Sequence, residues 1–191
     1  MHDKKRCTWV TRHEIYKTYH DTEWGVPVYD DQKQFEFLVL ESFQAGLSWL
    51  TILNKRENFR KAFDRFDYEK IARYSQDKID ELIQDAGIIR NKLKIKATVN
   101  NAKAFIQIQK EFDSFSKYIW GFTGGKPVIH HFKNDSEVPA STELSDTISA
   151  DLKKRGFKFM GTTIVYAHLQ ATGIVMDHTT DCFRYKQLAE S

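Results

Sequence analysis

Apolar residues recur at intervals of three and four along most of the chain, which is the spacing of an amphipathic α-helix. The segment after Asp31 shows it clearly, since Phe35 and Leu38 lie one turn apart and Gly46 marks a stop. Polar caps followed by apolar stripes predict further helices. We expect these near residues 49–66, 67–74, 76–86, 92–112, 115–121, 145–152 and 164–173.

One acid interrupts the apolar stripe of the first long helix. Glu41 follows Leu40 and lies one turn after Leu38, so on a helix it faces the apolar side. A carboxylate there is unfavourable unless it is hydrogen-bonded, paired or protonated. Glu41 is therefore a candidate functional acid, and the alternative is that the stripe ends before it and the side chain reaches water.

The composition narrows the class of protein. The chain has 191 residues, 41% of them hydrophobic, and only three prolines and nine glycines, which favours one all-α domain spanning residues 1–191. A net charge of +3 permits a local nucleic-acid-binding patch without indicating one. Charges interrupt every long apolar run and no apolar signal segment follows the N-terminus, so we expect a cytoplasmic protein with no membrane contact.

Two groups of basic residues lie on predicted helices. Charge runs of this kind usually form the solvated face of a helix, and that is the interpretation we adopt for both. The groups are Lys55, Arg56, Arg60 and Lys61, and Lys92, Lys94 and Lys96.

Four residues from the two ends of the chain form a candidate metal site. Cys7 and His20 lie near the N-terminus, and His178 and Cys182 are spaced four residues apart near the C-terminus. Two thiolates and two imidazoles make a complete tetrahedral set for a structural zinc ion, which would hold both ends together. The alternative is free cysteines packed as small hydrophobic residues.

A glycine-bounded turn separates the last two predicted helices. It runs from Gly156 to Gly161, contains Lys158, and is followed by Thr162. Glycines permit a tight turn, and the free amides at the start of a helix bind anions. With its neighbouring cations this turn suits a nucleic-acid phosphate, and the alternative is an ordinary helix–helix corner with a solvated basic flank.

Aromatic residues are concentrated in the first fifty positions, around the candidate acid. Aromatic faces stack on nucleic-acid bases, and an acid can accept hydrogen bonds from a base edge. The alternative for each residue is an ordinary place in an aromatic-rich core. The candidates are Trp9, Tyr16, Tyr19, Trp24 and Trp49, together with Glu41.

Taken together, these motifs resemble the 3-methyladenine DNA glycosylase I family of the helix-hairpin-helix superfamily. The likeness covers nearly the whole chain in the expected order, and its specificity comes from the combination. The motifs are Cys7-x-Trp9; Tyr16-x-x-Tyr19-His20-Asp21-x-Glu23-Trp24-Gly25; Leu40-Glu41-x-x-Gln44-Ala45-Gly46-Leu47-Ser48-Trp49; Asp85-Ala86-Gly87-Ile88-Ile89-Arg90; Lys153-Lys154-Arg155-Gly156-Phe157-Lys158-Phe159-x-Gly161; and Asp177-His178-x3-Cys182.

The resemblance implies an all-α helix-hairpin-helix glycosylase fold with a zinc site joining the N- and C-terminal segments. It implies structural zinc on the four Cys and His residues and DNA binding by the turn at Gly156, Lys158, Gly161 and Thr162. It also assigns the damaged base to a pocket between helical lobes. The base-recognising residues would be Tyr16, Tyr19, Glu41 and Trp49, with Trp9 and Trp24 nearby.

Two departures from the wider superfamily bear on the activity. Many relatives carry a catalytic Asp in a Val-Asp-x-His sequence, whereas here Met176 occupies that position and Asp177 is shifted by one. This fits the 3-methyladenine branch, which lacks that Asp, and argues against a lyase. The turn continues with Thr162 and Thr163 where the family often has Pro-Thr, which changes the local cap chemistry.

The resemblance therefore implies a monofunctional, monomeric DNA glycosylase that hydrolyses the N-glycosidic bond of 3-methyladenine in alkylated double-stranded DNA. Glu41 is its expected central acid, and the general base is not identified. A zinc-stabilised DNA-binding module without chemistry is one rival, although it would have no need of Glu41, Tyr19 and Trp49. A zinc hydrolase is the other, and it would require an open metal position.

Overall fold

The computed structural model describes residues 4–190, and this part of the chain is mostly helical. Two short 3-10 turns, at Asp64–Phe66 and Asp135–Glu137, and one pair of two-residue strands complete the regular structure. The helices are α1 Glu14–Thr22, α2 Asp31–Gln44, α3 Trp49–Ala62, α4 Tyr68–Ile71, α5 Gln76–Gln84, α6 Lys92–Phe112, α7 Phe115–Gly121, α8 Glu143–Lys154, α9 Thr162–Ala171 and α10 Phe183–Ala189, and the strands are β1 Val128–Ile129 and β2 Val175–Met176.

Side-chain caps fix several helix starts where the sequence predicts them. The side chains of Ser48, Ser75, Asn91 and Ser114 accept hydrogen bonds from backbone amides in the first turns of α3, α5, α6 and α7. The predicted span of α6, residues 92–112, matches the observed helix. Local chemistry thus places these boundaries.

Helix α2 lies at the centre of the molecule. Every residue from 34 to 43 is buried, because α3, α6, α7 and α9 pack around it. Phe35 and Phe43 are fully buried on it and belong to the main hydrophobic core. A helix covered on all sides must bury its polar residues as well, and this one buries Glu36 and Glu41.

The solvated-face interpretation is wrong for one member of each basic group. Arg56 is buried between Glu36 and Glu23, with its Nε atom 2.7 Å from Glu36 Oε1. Lys94 is buried too, and its Nζ atom donates to the carbonyls of Phe43 and Ala45, each at 3.1 Å. Both cations have partners distant in sequence, which a local charge pattern does not reveal.

The start of α8 also differs from the prediction. Thr142, rather than Ser145, is the N-cap, and the two side chains form a reciprocal capping box. The parallel pairing of β1 with β2 and helix α10 were not predicted. Two-residue strands are too short to give an alternating pattern, and they hold residues 175–176 against residues 128–129.

None of the helices in residues 4–190 is both long enough and apolar enough to cross a bilayer.

Candidate functional site

A cavity of about 470 Å³ opens between the N-terminal arm, α1, α2, the start of α3 and α9. All six residues that the resemblance assigns to the damaged base line it. Seven further residues complete the lining and extend it toward α9. The lining residues are Trp9, Tyr16, Tyr19, Trp24, Glu41, Gln44, Ser48, Trp49, Asp135, Val138, Ala167, Gln170 and Asp177.

Glu41 is the buried acid of this cavity. Its side chain does not reach bulk water, since the residue is only 3% exposed. Its Oε2 atom has no hydrogen-bond partner among residues 4–190. Burial removes the water that would stabilise the charged form, and this raises the pKa of Glu41 to about 8. At neutral pH burial therefore favours the protonated form of this acid.

Five aromatic residues line the same cavity as Glu41, and their rings contact one another in edge and tilted arrangements. Trp9 lies between Tyr16 and Trp24, with ring centroids 5.6 and 5.0 Å away. Tyr19 lies 5.4 Å from Trp49. The indole Nε1 of Trp49 is buried and has no acceptor in the described chain. An unpaired donor and an unpaired acid in one aromatic cavity are characteristic of a site that binds a polar, planar ligand.

The two tyrosine hydroxyls are available as hydrogen-bond donors. Tyr16 Oη accepts from the Leu50 amide at 3.1 Å, which fixes the ring against the first turn of α3. Burial raises the pKa of Tyr16, and burial followed by the charge of Glu41 raises that of Tyr19. Both phenols therefore stay protonated over the physiological range, and each can donate its proton to a ligand.

Asp177 anchors the side of the cavity formed by α9, and the sequence analysis assigned it no role. It is 1% exposed, and its Oδ1 atom lies 2.6 Å from His130 Nδ1. Its Oδ2 atom accepts from Gln170 Nε2 at 2.7 Å and from the Tyr166 hydroxyl. This carboxylate is thus saturated with partners, unlike Glu41. Its partners are spread over 47 residues of sequence, so no local motif marks them.

Asp135 holds the N-terminal segment that precedes α1 against the cavity. Its Oδ2 atom accepts from the backbone amides of Thr8 and Trp9, at 2.6 and 3.1 Å. The 3-10 turn Asp135–Glu137 therefore holds Trp9 at the cavity. Asp135 was also missed by sequence reasoning, since an isolated Asp in a loop carries no signal of its partner 127 residues away.

The four Cys and His residues predicted as ligands form one buried cluster. Their ligand atoms lie within 4.8 Å of one another. Cys182 Sγ lies 3.4 Å from His20 Nε2 and 3.5 Å from His178 Nδ1, and Cys7 Sγ lies 3.6 Å from His178 Nδ1. A tetrahedral ion with bonds of about 2.0–2.3 Å needs ligand atoms roughly 3.3–3.8 Å apart. The group could hold a metal ion.

The surroundings of the cluster also suit a metal. His20 Nδ1 lies 2.8 Å from Asp21, which Arg6 holds through its guanidinium, and His178 Nε2 donates to the Trp24 carbonyl at 3.0 Å. Such outer hydrogen bonds orient imidazole ligands. Hydrogen bonds from Cys7 and then the two imidazoles lower the pKa of the Cys182 thiol, whereas the hydrogen bond with Cys182 and then burial raise that of Cys7, so Cys182 is the thiol that more readily forms the thiolate a metal requires.

The cluster forms part of the support of the cavity. Trp24 packs edge-on against His178 with centroids 4.6 Å apart, and Trp9 packs against His20 at 5.4 Å. Both indoles also line the cavity. The geometry of the Cys and His cluster therefore affects the positions of Trp9 and Trp24 in the cavity.

The predicted glycine-bounded turn joins α8 to α9, and these two helices pack against each other. Gly156 has φ +91°, which a side chain would strain, whereas Gly161 is extended at φ −68° and acts as the N-cap of α9. A Cβ on Gly161 would meet no atom within 4 Å. The amides of residues 162–164 have no acceptor within residues 4–190, so the start of α9 offers free donors to an anion.

These features define a helical protein with an aromatic ligand pocket built around an unpaired acid. The Methyladenine glycosylase family model matches residues 9–185. A relative in Escherichia coli (strain K12), DNA-3-methyladenine glycosylase 1, is 47% identical over 95% of this chain and 97% of its own. The chain belongs to the methyladenine glycosylase family.

Solved structures agree in fold. A crystal structure of 3-methyladenine DNA glycosylase I superposes with a TM-score of 0.91 at 46% identity, covering 94% of this chain and 98% of the other. A structure of the Staphylococcus aureus enzyme, described as the basis of its 3-methyladenine recognition, has a TM-score of 0.90 at 38% identity, with 93% and 95% covered. The all-α fold predicted from the sequence is confirmed.

Proposed function

We propose that this protein is a monofunctional DNA glycosylase that hydrolyses the N-glycosidic bond of 3-methyladenine in alkylated double-stranded DNA, the first step of base excision repair. One observation carries the proposal: Glu41 is buried and unpaired inside an aromatic cavity, where burial raises its pKa to about 8. The names of the relatives, which specify 3-methyladenine, support the choice of base.

The base would enter the cavity as a flipped nucleotide, because the reacting bond is inaccessible in a stacked duplex. Trp49 stacks on the flipped ring, and each base–aromatic stack contributes about 1–3 kcal/mol. Tyr16 and Tyr19 donate hydrogen bonds that fix the orientation of the base, and Trp9 and Trp24 complete the walls. The positions of these residues in the cavity lining support the proposed roles.

Glu41 supplies the discrimination between damaged and normal adenine. Methylation at N3 gives the attached base a positive charge, and a cation beside Glu41 lowers the pKa of that carboxyl group from its raised value. The carboxylate then forms charge-assisted hydrogen bonds with the N–H groups of the base. Neutral adenine gives no such stabilisation, so it leaves Glu41 protonated or buried with an unpaired charge.

The chemistry demands little further assistance. The bond from C1′ to the base nitrogen breaks with its electron pair going to the cationic base, which leaves neutral. Water adds to C1′ and loses a proton, giving an abasic sugar. Among the residues that line the cavity in the described chain there is no lysine. Without an amine to form a Schiff base, the reaction stops at base release, in keeping with a monofunctional enzyme.

The turn between α8 and α9 would hold the DNA backbone. The free amides at Thr162 and the charge of Lys158 suit a phosphate oxygen, and Gly156 and Gly161 let the backbone approach closely. Contacts of this kind position the duplex without reading its sequence. This turn thus serves as the hairpin of a helix-hairpin-helix motif.

The metal would be zinc in a structural role. Cys7, His20, His178 and Cys182 supply four protein ligands, which leaves no open position for water or substrate. A bound ion would stabilise the contact between the two ends of the chain, on which the order of Trp9 and Trp24 depends. A zinc hydrolase is disfavoured by the same closed donor set.

Base release from methylated duplex DNA, with the products separated by chromatography, tests the function. We expect free 3-methyladenine and an intact strand carrying an abasic site. Binding without release would instead identify a DNA-binding module, and strand cleavage at the abasic site would identify a lyase. Whether 3-methylguanine is also released is read from the same chromatogram.

Replacement of Glu41 tests the central residue. Glu41→Gln keeps the shape but replaces one acceptor oxygen with an NH2 donor, and leaving an N–H group of the bound base without its acceptor costs about 1–3 kcal/mol. We therefore expect free 3-methyladenine to bind roughly 10- to 100-fold more weakly, and excision to slow, while the circular dichroism spectrum is unchanged. Unaltered binding would remove Glu41 from the site.

Removal of one metal ligand tests the zinc assignment. Cys182→Ser should abolish stoichiometric zinc, measured by mass spectrometry, and lower the midpoint of thermal unfolding. One zinc per chain in this variant would contradict the assignment. A monomeric state, a cytoplasmic location and a single domain over residues 1–191 stay predictions.

A further inference from the structure

The segment after α5 is unusually basic for a chain of this composition. No Asp or Glu occurs between Ala86 and Lys110, although the whole chain carries 26 acids against 29 Lys and Arg. The same segment contains Arg90, Lys92 and Lys96, and it includes most of α6. A local excess of one charge sign in a nearly neutral protein indicates a preferred kind of partner.

The structure places most of these cations on one side. Lys92, Lys96 and Lys103 lie within about 40° of one another around the axis of α6, at 100° per residue. Arg90 directly precedes the helix. All four are exposed, and we call them together the α6 basic face. Lys94, the buried cation of the group, points instead to the end of α2.

None of the four cations has an ion pair or hydrogen bond through its side chain to any residue in the range 4–190. Several cations elsewhere in the chain are neutralised locally, as in Lys117 with Asp113 and Lys78 with Glu81. Even Arg155, next to the glycine-bounded turn, forms ion pairs with Glu111 and Asp151. The α6 basic face is therefore left available to a partner with negative charge.

Two sets of contacts fix where helix α6 lies. At its start, Lys94 holds the carbonyls of Phe43 and Ala45, which lead into the loop before Trp49. Two turns later Asn100 donates to the Gly156 carbonyl at 2.7 Å, and Asn101 bonds both the amide and the carbonyl of Lys158. Helix α6, which carries the basic face, thus extends from the loop before Trp49 to the glycine-bounded turn.

We propose that the α6 basic face is a second phosphate-binding surface, which holds the sugar-phosphate backbone of duplex DNA between the cavity and the hairpin. This inference rests on the proposed function, because it assumes a DNA substrate. From Lys92 to Lys103 the helix rises about 16 Å, which corresponds to about five nucleotides of one strand at 3.4 Å each. The surface has no features for reading bases, so its contribution is independent of sequence.

The salt dependence of DNA binding tests the proposal. Each phosphate contact contributes about −0.9 to the slope of log affinity against log salt concentration. The probe is a short duplex containing an uncleavable abasic-site analogue, with binding followed by fluorescence anisotropy at several salt concentrations. For Lys96→Ala combined with Lys103→Ala we expect the slope to become shallower by about 1.8, and affinity in 0.1 M salt to fall about tenfold or more.

Lys61→Ala is the matched control. Lys61 is also exposed, and its side chain has no ion pair or hydrogen bond within residues 4–190, but it lies near the far end of α3 from Trp49. We expect its slope to equal that of the wild type and its affinity to stay within twofold. All variants should keep their unfolding midpoints, because these side chains make no contacts whose loss would destabilise the fold.

Two further measurements separate this proposal from the function itself. Binding of free 3-methyladenine should be unchanged in the double variant, since none of its substituted residues lines the cavity. If wild-type protein releases the base and the double variant shows the wild-type slope and affinity, the phosphate-binding role of the α6 basic face is wrong. The proposal that the protein is a glycosylase is then unaffected. If wild-type protein releases no base, the glycosylase proposal fails, whereas the slopes still report on the face.

Discussion

Helix α2 carries two buried glutamates five residues apart, and the fold treats them in opposite ways. Glu36 is 6% exposed and accepts from Arg56 Nε and from Arg60, each at 2.7 Å. Glu41 is 3% exposed, and its Oε2 atom has no partner in the described chain. Equal burial on the same helix thus yields one ion-paired acid and one unpaired acid.

The difference appears in their pKa values. Burial alone would raise the pKa of Glu36, but the positive charges of Arg56, Lys33 and Arg60 outweigh it and hold the value below normal. Glu41 has no compensating cation within residues 4–190, so burial raises its pKa to about 8. The comparison teaches that burial of an acid does not by itself mark a site, and that the absence of a partner does.

Removing the shared cation should give the largest effect. Arg56→Met removes the bidentate partner of Glu23 and the buried partner of Glu36, which keeps only the more exposed Arg60 and Lys33, and breaking a buried pair from one side costs about 3–5 kcal/mol. We expect that loss in the free energy of unfolding, measured by urea denaturation at pH 7 with zinc present. Arg60→Met is the control, because Arg60 is 32% exposed and should contribute less. Equal losses in the two variants would contradict the assignment of Arg56 as the main partner of the buried glutamate.

Neutralising each glutamate should shift stability in opposite directions. The pKa of Glu41 rises on folding from 4.5 to about 8, so stability is full below pH 4.5 and is lost as the pH rises through 8. Glu41→Gln removes that loss, and we expect a gain of about 2–4 kcal/mol in the free energy of unfolding at pH 8, fading toward pH 4.5.

Glu36→Gln provides the matched control for this profile. The pKa of Glu36 falls on folding, so its stabilisation is present above pH 4.5 and disappears as the pH drops through the folded value. The variant should therefore lose stability at pH 8, by about 1–3 kcal/mol, and match the wild type in acid. If both variants gained stability at pH 8, or both lost it, Glu36 and Glu41 would not differ in whether they are paired.

The sequence predicted the helices better than the pairing of their charges. Periodicity and caps depend on neighbours within four residues, so α3, α5, α6 and α7 begin where Ser48, Ser75, Asn91 and Ser114 place them. The partners of buried charges come from elsewhere in the chain. Arg56 lies 20 residues from Glu36 and 33 from Glu23, so a local pattern assigned it to the solvated face.

The same reason explains what was found and missed in the candidate site. Glu41 stood out because it lies on an apolar stripe, and the four Cys and His residues because two thiols and two imidazoles make a complete donor set for zinc. Asp135 and Asp177 gave no such signal, since their partners lie far away in the sequence. Only the resemblance to the glycosylases related the chain ends to the pocket before the fold was known.

Lys33 offers the smallest and most specific test of the contrast. Its side chain is 31% exposed and lies between Glu23 and Glu36, with the Nζ atom 3.1 Å from Glu23 and 3.3 Å from Glu36. Exposed pairs contribute about 0.2–1 kcal/mol and weaken with salt. Lys33→Ala should therefore lower the free energy of unfolding by less than about 1 kcal/mol, and the difference should shrink in 1 M salt. A loss as large as that of Arg56→Met would mean that net charge around Glu36, rather than the buried guanidinium, separates it from Glu41.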